Sequence, residues 1–423
     1  MIYLSRTYHF VSMLIILLGS MTQQVVHASN FSSNASAFGE TLFAMPTIWA
    51  QLQFPYNLNT DYVTTTTTGT GASVTQATNL ASLTTGNVLA SSATMTSNKR
   101  LHYHPGQGAV CMFDAVFTTG TANTSQIIGM GNTQDGFFFG YSGATFGIIQ
   151  RVNSVDTLIP QTAWNGDKMD GTGKSGVTLV KTNGNLYKIQ MQWLGFGAIK
   201  FYIVNPDDGT FILVHTIKYA NANTTASLLN PSLQLYAFVS CTALFTAAVT
   251  LKTSSMVGMV EGNINTGLDT RNAVTSFNPF PGTLPKNLTT TFANVLGIRN
   301  NPTFQGKTNQ VMIYPDQITF MNTIAAAASS MIYTLILNPT TVTGQTYTQI
   351  NANTSVVSYD VAGTTVTGGK ILMTFYVNGS SSMVLDLTDY QLQLSPGDQL
   401  IIAGRTVAGT GNAFVGISWK ERF

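Results

Sequence analysis

Two alternating stretches on either side of a turn constrain this chain most. Lys200-Phe201-Tyr202-Ile203-Val204 leads into Asn205-Pro206-Asp207-Asp208-Gly209, and Phe211-Ile212-Leu213-Val214-His215 leads out. β-Branched and aromatic residues favour extended backbone, and Asp-Gly between two such runs signals a hairpin. The signature recurs along the chain. Segments 111–117, 126–130, 136–141, 146–152, 186–193, 198–204, 211–219, 233–238 and 247–252 all read as strands, with Asn183-Gly184 and Asp208-Gly209 as two-residue turns. Many strands with no helical pattern between them predict a sandwich or jelly roll over residues 96–262. A second β-rich block over 311–423 has strands at 331–337, 355–361, 370–377, 383–387, 399–403 and 413–419. Only 323–330, around Ala325–Ala328, reads as helical. The expected fold is all-β, with two β-sandwich (jelly-roll or lectin-like) domains.

The rest of the chain frames these blocks. Residues 1–28 read as a secretory signal peptide: Arg6, an apolar run over 10–19 (FVSMLIILLG), then Val26 and Ala28 before Ser29. The run is shorter than the ~20 apolar residues of a membrane helix. No later run reaches that length, so no span is expected after cleavage. Between Arg6 and Lys99 there is no Lys or Arg, and Thr64 to Thr68 is an unbroken Thr run. This predicts an extended arm or stalk over 29–95. Residues 263–310, rich in Asn, Pro and Gly (Asn278-Pro279-Phe280-Pro281-Gly282, Asn300-Asn301-Pro302), read as a linker.

Charge narrows the function. Charged residues make up 9% of the chain, with 19 basic against 17 acidic, where ~25% is ordinary. A nucleic-acid binder needs clustered Lys and Arg, and a disordered tail needs charge without core residues. Both classes are excluded. A neutral Thr/Asn/Gly surface lets copies pack with little repulsion, so homo-oligomers are expected.

Candidate sites are sparse. The glycine-rich segment 165–176 places Asn165, Asp167 and Asp170 in one loop, oxygen donors of the kind Ca²⁺ takes. A plain polar turn has the same composition. Gly173-Lys174-Ser175 matches the end of a phosphate loop, but Lys168 stands where the first glycine belongs. His102, His104 and His215 form a weak zinc set, lacking a third ligand at a defined spacing. Gly140-Tyr141-Ser142-Gly143 misses the closing glycine of a nucleophile elbow, because Ala144 follows. No catalytic residue is expected, and no cofactor besides Ca²⁺. Cys111 and Cys241 either pair, closing a loop of about 130 residues for roughly 4–5 kcal/mol, or stay as two buried thiols. Asn30, Asn34, Asn123, Asn223, Asn287, Asn353 and Asn378 head glycosylation sequons, no more than this composition yields by chance. Trp164, Trp193 and Phe196 are candidate exposed rings, for stacking on sugars or for subunit packing. Phe137-Phe138-Phe139 cannot all be buried on one strand unless both faces of its sheet are covered.

Four segments are distinctive: 101–117 (LHYHPGQGAVCMFDAVF), 127–148 (IIGMGNTQDGFFFGYSGATFGI), 164–176 (WNGDKMDGTGKSG) and 192–223 (QWLGFGAIKFYIVNPDDGTFILVHTIKYANAN). Together they resemble an uncharacterised family of virion structural proteins of tailed phages and large DNA viruses of eukaryotes. The run 394–419 (LSPGDQLIIAGRTVAGTGNAFVGISW) is similar to the closing strands of virion-fibre or head-decoration modules. The resemblance implies a lectin-like or jelly-roll module on a virion component, without catalytic residues. The expectation is therefore a non-enzymatic structural protein that self-assembles or decorates a virus particle, its partners being its own copies or other virion proteins. The alternative is a secreted or surface carbohydrate-binding module that takes cell-surface glycans.

Overall fold

The computed structural model describes residues 46–243, 248–262, 269–277, 285–324, 330–390 and 392–423. The signal-peptide segment 1–28, Asn30 and Asn34 lie outside them. The chain forms two compact units. Of the described residues, the first takes those within 46–97, 103–231 and 235–262, and the second takes those within 98–102, 232–234 and 269–423. Among the described residues the helical elements are two three-residue 3-10 turns. All else that is regular is strand, as the alternating patterns require. No helix is long and apolar enough to cross a membrane among the described residues.

The first unit has a nine-stranded and a seven-stranded sheet. The nine-stranded order is β13 (Phe211–Ile217), β12 (Ile199–Val204), β11 (Asn185–Met191), β6 (Ala109–Phe117), β15 (Thr250–Thr253), β4 (Leu80–Thr84) and β3 (Ser73–Ala77). β16 (Ser255–Glu261) also pairs with β6, and β1 (Pro46–Gln53) pairs with β16. The seven-stranded order is β10 (Val155–Pro160), β9 (Thr145–Val152), β8 (Gly136–Ser142), β7 (Thr124–Gly131), β14 (Gln234–Cys241), β5 (Ser91–Ser97) and β2 (Val63–Thr68). Aromatic rings fill the space between the sheets. Phe139 of β8 lies 4.9 Å from Tyr187 of β11 and 5.5 Å from Phe201 of β12, and Phe117 of β6 lies 5.4 Å from Phe146 of β9.

The Phe137-Phe138-Phe139 run is resolved by alternation. Phe137 and Phe139 enter this core, while Phe138 joins a second cluster with Ile127, Ile149 and Tyr236. The guanidinium of Arg151 covers that cluster, 5.3 Å from the Phe138 ring centre and 5.8 Å from that of Tyr236. Asp156 holds Arg151 with two bonds of 2.6 and 2.9 Å. Both faces of the sheet are thus covered at Phe138.

Two sequence expectations change in this unit, and of the two alternatives for the cysteines the structure takes the buried thiols. From residue 46 onward the expected arm is five strands: β1, β3 and β4 in one sheet, β2 and β5 in the other. The Thr run is β2, an edge strand whose Thr64, Thr66 and Thr68 stand opposite Thr96, Thr94 and Ser92. Thr suits an extended edge that is wet on most sides, so this strand carries no apolar alternation to reveal it. The Asp208-Gly209 turn is a longer loop over 205–210, because Asn205 and Asp208 each accept a local backbone N–H and Pro206 has none to give. Cys111 and Cys241 are unpaired and buried, one in each sheet. Burial pushes the Cys111 thiol up, and the Cys241 thiol donates to the carbonyl of Ala243 at 2.7 Å.

The second unit also has two antiparallel sheets. One orders β17 (Thr270–Thr275), β31 (Gly411–Arg422), β22 (Met312–Ile324) and β29 (Ser382–Asp386), with β18 (Lys286–Leu288) also on β31. The other orders β25 (Thr348–Gln349), β26 (Val357–Asp360), β19 (Ala293–Asn300), β30 (Gln399–Thr406), β23 (Ser330–Leu337) and β28 (Lys370–Asn378). Two short ladders, β20 (Thr303–Phe304) with β21 (Lys307–Thr308) and β24 (Thr341–Val342) with β27 (Val366–Thr367), complete it. Leu296, Phe320, Tyr333, Ile402, Val415 and Trp419 share its core. Glu421 is fully buried beside them, accepting from Ser355 Oγ (2.6 Å), Val356 N (2.8 Å), Asn272 Nδ2 (2.8 Å) and Trp419 Nε1 (2.8 Å).

The expected linker 263–310 therefore includes core strands, since Val295, Leu296 and Ile298 of β19 are buried. Pro and Gly punctuation around them obscures a single short apolar run. Of the expected helix, Thr323 belongs to β22 and Ser330 to β23, while Ala325–Ala328 lies outside the described residues.

Candidate functional site

At Gln53 the chain leaves the edge of the nine-stranded sheet, and at Val63 it enters the edge of the seven-stranded one. Phe54 and Val63 are buried and anchor the two ends of the crossing. The Phe54 carbonyl accepts Gln76 Nε2 at 2.8 Å. Between the anchors Asn59 organises the turn. Its carbonyl accepts the N–H groups of Tyr62 and Val63, both at 3.0 Å, and its Oδ1 accepts Asp61 N at 3.0 Å. Such an Asx turn fixes the loop backbone without using the other side chains.

The result is a cleft of about 210 Å³ whose polar lining comes from Gln51, Gln53, Tyr56, Asn57, Asn59 and Tyr62. Tyr56 is 90% exposed and Tyr62 53%. The side chains of Gln51, Gln53, Tyr56, Asn57 and Tyr62 make no hydrogen bond among the described residues. Each primary amide offers both donors and an acceptor, and each Tyr adds an apolar ring face with a hydroxyl at its tip. Among the described residues no acid, histidine or cysteine lines the cleft. The lining therefore offers apolar ring faces together with amide and hydroxyl donors and acceptors.

A second concavity, about 340 Å³, lies on the five-stranded sheet of the second unit between Phe277, Phe320, Met321, Met383, Val384 and Phe414. It is almost wholly apolar and has few groups to orient a polar ligand.

The residues singled out from the sequence sit elsewhere. Trp164 is 2% exposed, with its ring 6.1 Å from Phe139 and 6.3 Å from Phe146. It is a core residue and offers no stacking face. Trp193 is half-buried, edge-on to Tyr103 at 5.5 Å, and the Tyr103 hydroxyl accepts Leu194 N at 3.0 Å. Phe196 is partly exposed beside Tyr219.

In the expected calcium loop each of the three side chains accepts hydrogen bonds from the protein itself. Asn165 brackets Thr216, accepting its N–H at 2.9 Å and donating to its carbonyl at 2.8 Å. Asp167 is buried and accepts Met169 N (2.9 Å) and Ser175 N (2.8 Å). Asp170 is exposed and accepts the Thr172 hydroxyl (2.6 Å) and N–H (3.0 Å), which hold its carboxyl below the usual range. Among the described residues no three or more His, Cys, Asp or Glu side chains gather as a metal site. His215 Nδ1 accepts Asn165 N at 3.2 Å, and burial pushes its pKa down. His102 is buried, His104 half-buried, and both lie outside any strand. The sequon residues Asn123, Asn223, Asn287, Asn353 and Asn378 are all exposed.

Sequence reading missed Tyr56 and Tyr62 because they fall in the stretch read as an arm. The available signal was Phe54-Pro55-Tyr56-Asn57 followed by Asp61-Tyr62, aromatics among turn formers in a segment almost without charge.

No family model and no curated protein matches this chain. Among solved structures it is similar to lectin II of Ulex europaeus in complex with galactose (10% identity, TM-score 0.30, 51% of this chain and 100% of that one). It is likewise similar to the CBM2 module of the evolved Dit of Lactobacillus casei BL23 phage J-1 (11%, TM-score 0.34, 52% and 99%). A glycoside hydrolase family protein from Mycobacterium thermorestibile gives 9%, TM-score 0.35, 50% and 100%.

Proposed function

We propose that this chain is a non-enzymatic β-sandwich protein of an extracellular or particle surface that binds neutral glycans through the Tyr56–Tyr62 cleft. The observation that carries this reading is the pairing of two exposed tyrosine rings with unspent amides on a loop whose backbone is held by Asn59. Sugars present apolar C–H faces and rings of hydroxyls. Ring faces and planar amides complement both, and a fixed loop lowers the entropy cost of binding. The test is glycan binding by titration calorimetry after an array screen. Tyr56→Ala and Tyr62→Ala should each weaken binding about tenfold or more, the loss of roughly 1.4 kcal/mol of ring contact. No glycan affinity in the intact chain, or affinity untouched by both substitutions, rejects the reading.

A structural place on a virus particle is the second reading. It is supported by the 9% charge and by the resemblance carried by segments 101–117, 127–148, 164–176 and 192–223. Mass spectrometry of purified particles against the soluble fraction tests it, with enrichment in particles expected.

A further inference from the structure

The second unit carries two free strand edges joined by a short turn. Among the described strands β28 ends its six-stranded sheet and pairs with β23 alone, from Ser330 opposite Asn378 to Leu337 opposite Lys370. After the turn at 379–381, β29 ends the other sheet and, among the described strands, pairs with β22 alone. An edge strand presents a row of unpaired N–H and C=O groups, and proteins usually guard it with proline, charge or shortness. β28 has nine residues, KILMTFYVN, with no proline and with Lys370 at its start as the single charge. One irregularity opposite Leu335 and Ile336 breaks its register near that start, and the ladder is regular from Met373 to Asn378. Phe375 anchors the strand in the core, 4.8 Å from Phe320. Ile371 and Tyr376 stand 64% and 68% exposed, and Val384 of β29 is 61% exposed.

We propose that β28 is a self-association edge, to which a second copy of this chain adds its own β28 in antiparallel register. Self-complementarity favours a second copy over an unrelated strand. Antiparallel pairing centred within Met373–Asn378 opposes an uncharged segment to itself, so no like charges meet. A foreign partner would be selected by charge or by a pocket, and this edge offers neither. A two-fold axis uses the same patch twice and closes the assembly, the commonest arrangement of homo-oligomers. A net charge of +2 over 423 residues adds little repulsion between copies. The pairing joins two six-stranded sheets across the axis and covers Ile371 and Tyr376 from both sides. It does not depend on the glycan cleft of the first unit.

The test is the mass of the chain by sedimentation velocity at rising concentration. The protein is made without glycosylation, so that the sequon residue Asn378 is bare. The wild type should dimerise, with amide exchange over 371–378 slowing as dimer forms. Ile371→Lys combined with Tyr376→Lys should weaken dimerisation at least about tenfold while leaving unchanged the melting temperature taken at concentrations where wild type is monomeric, because both side chains face solvent. Val155→Lys, an exposed position on the β10 edge of the first unit, should change nothing. A wild type that stays monomeric at its highest soluble concentration overturns the proposal. So does a double variant that dimerises like wild type, or a dimer lost through Val155→Lys.

Discussion

Two loops of the first unit, 54–62 and 164–176, invert what their composition suggests. The second holds a tryptophan, two aspartates and an asparagine, the residue types that most often announce a site. Its Trp164 fills the core, and its Asn165, Asp167 and Asp170 oxygens accept hydrogen bonds from the protein itself. The first loop draws less notice, with two tyrosines, two asparagines and one aspartate, yet among the described residues the side chains of Tyr56, Asn57 and Tyr62 make no hydrogen bond. Residue type measures a capacity to interact. The capacity left over after folding is what a ligand can use.

The comparison breaks most sharply at Trp164. Trp164→Ala should cost about 3–5 kcal/mol in denaturant unfolding, as expected for a large ring removed from a close-packed core. Tyr56→Ala should fall within about 0.5 kcal/mol of wild type, as exposed positions do. Equal losses at the two positions would erase the distinction between the loops. Asp167→Ala comes next. It strands the buried N–H groups of Met169 and Ser175 and should cost about 1–3 kcal/mol. Excess chelator should leave the melting temperature of wild type unchanged. A fall on chelation would make the loop a cation site and overturn its assignment as self-satisfied.

The smallest effect is a pH dependence at His215. Burial lowers its folded pKa below the ordinary 6.5, and Nδ1 must stay unprotonated to accept from Asn165. The unfolded chain therefore binds the extra proton more readily. This contribution to stability is complete above about pH 6.5 and is lost as pH falls below it toward the folded pKa. Unfolding free energy measured from pH 7.5 down to 5 should decline less in His215→Gln than in wild type. Parallel curves would remove His215 from the account.

The legible part of the fold was its strands. Segments such as 111–117, 136–141 and 370–377 announce themselves because a strand buried on one face must alternate, and one buried on both must be continuously apolar. The Thr run and β19 were misread for different reasons: an edge strand needs no apolar alternation, and in β19 the apolar run is interrupted by Gly297 and flanked by asparagines that read as loop. Site residues were less legible. Trp164 and Tyr56 are both aromatics beside turn residues, and nothing local says which ring the sheets will cover. The partnering of Asp167 with Ser175 depends on how a glycine-rich loop closes on itself.

By itself the sequence determined an all-β chain in two blocks with a near-neutral surface, because backbone preference and charge are properties of residues and short runs. Tertiary structure alone decided that Phe138 meets Arg151 and Tyr236, that Cys111 and Cys241 lie in different sheets, and that Tyr56 and Tyr62 flank an open cleft. It also placed β28 at a sheet edge, where among the described strands it pairs with β23 alone. Those outcomes depend on which strands become adjacent, and adjacency between segments tens to hundreds of residues apart is set by the packing of whole sheets.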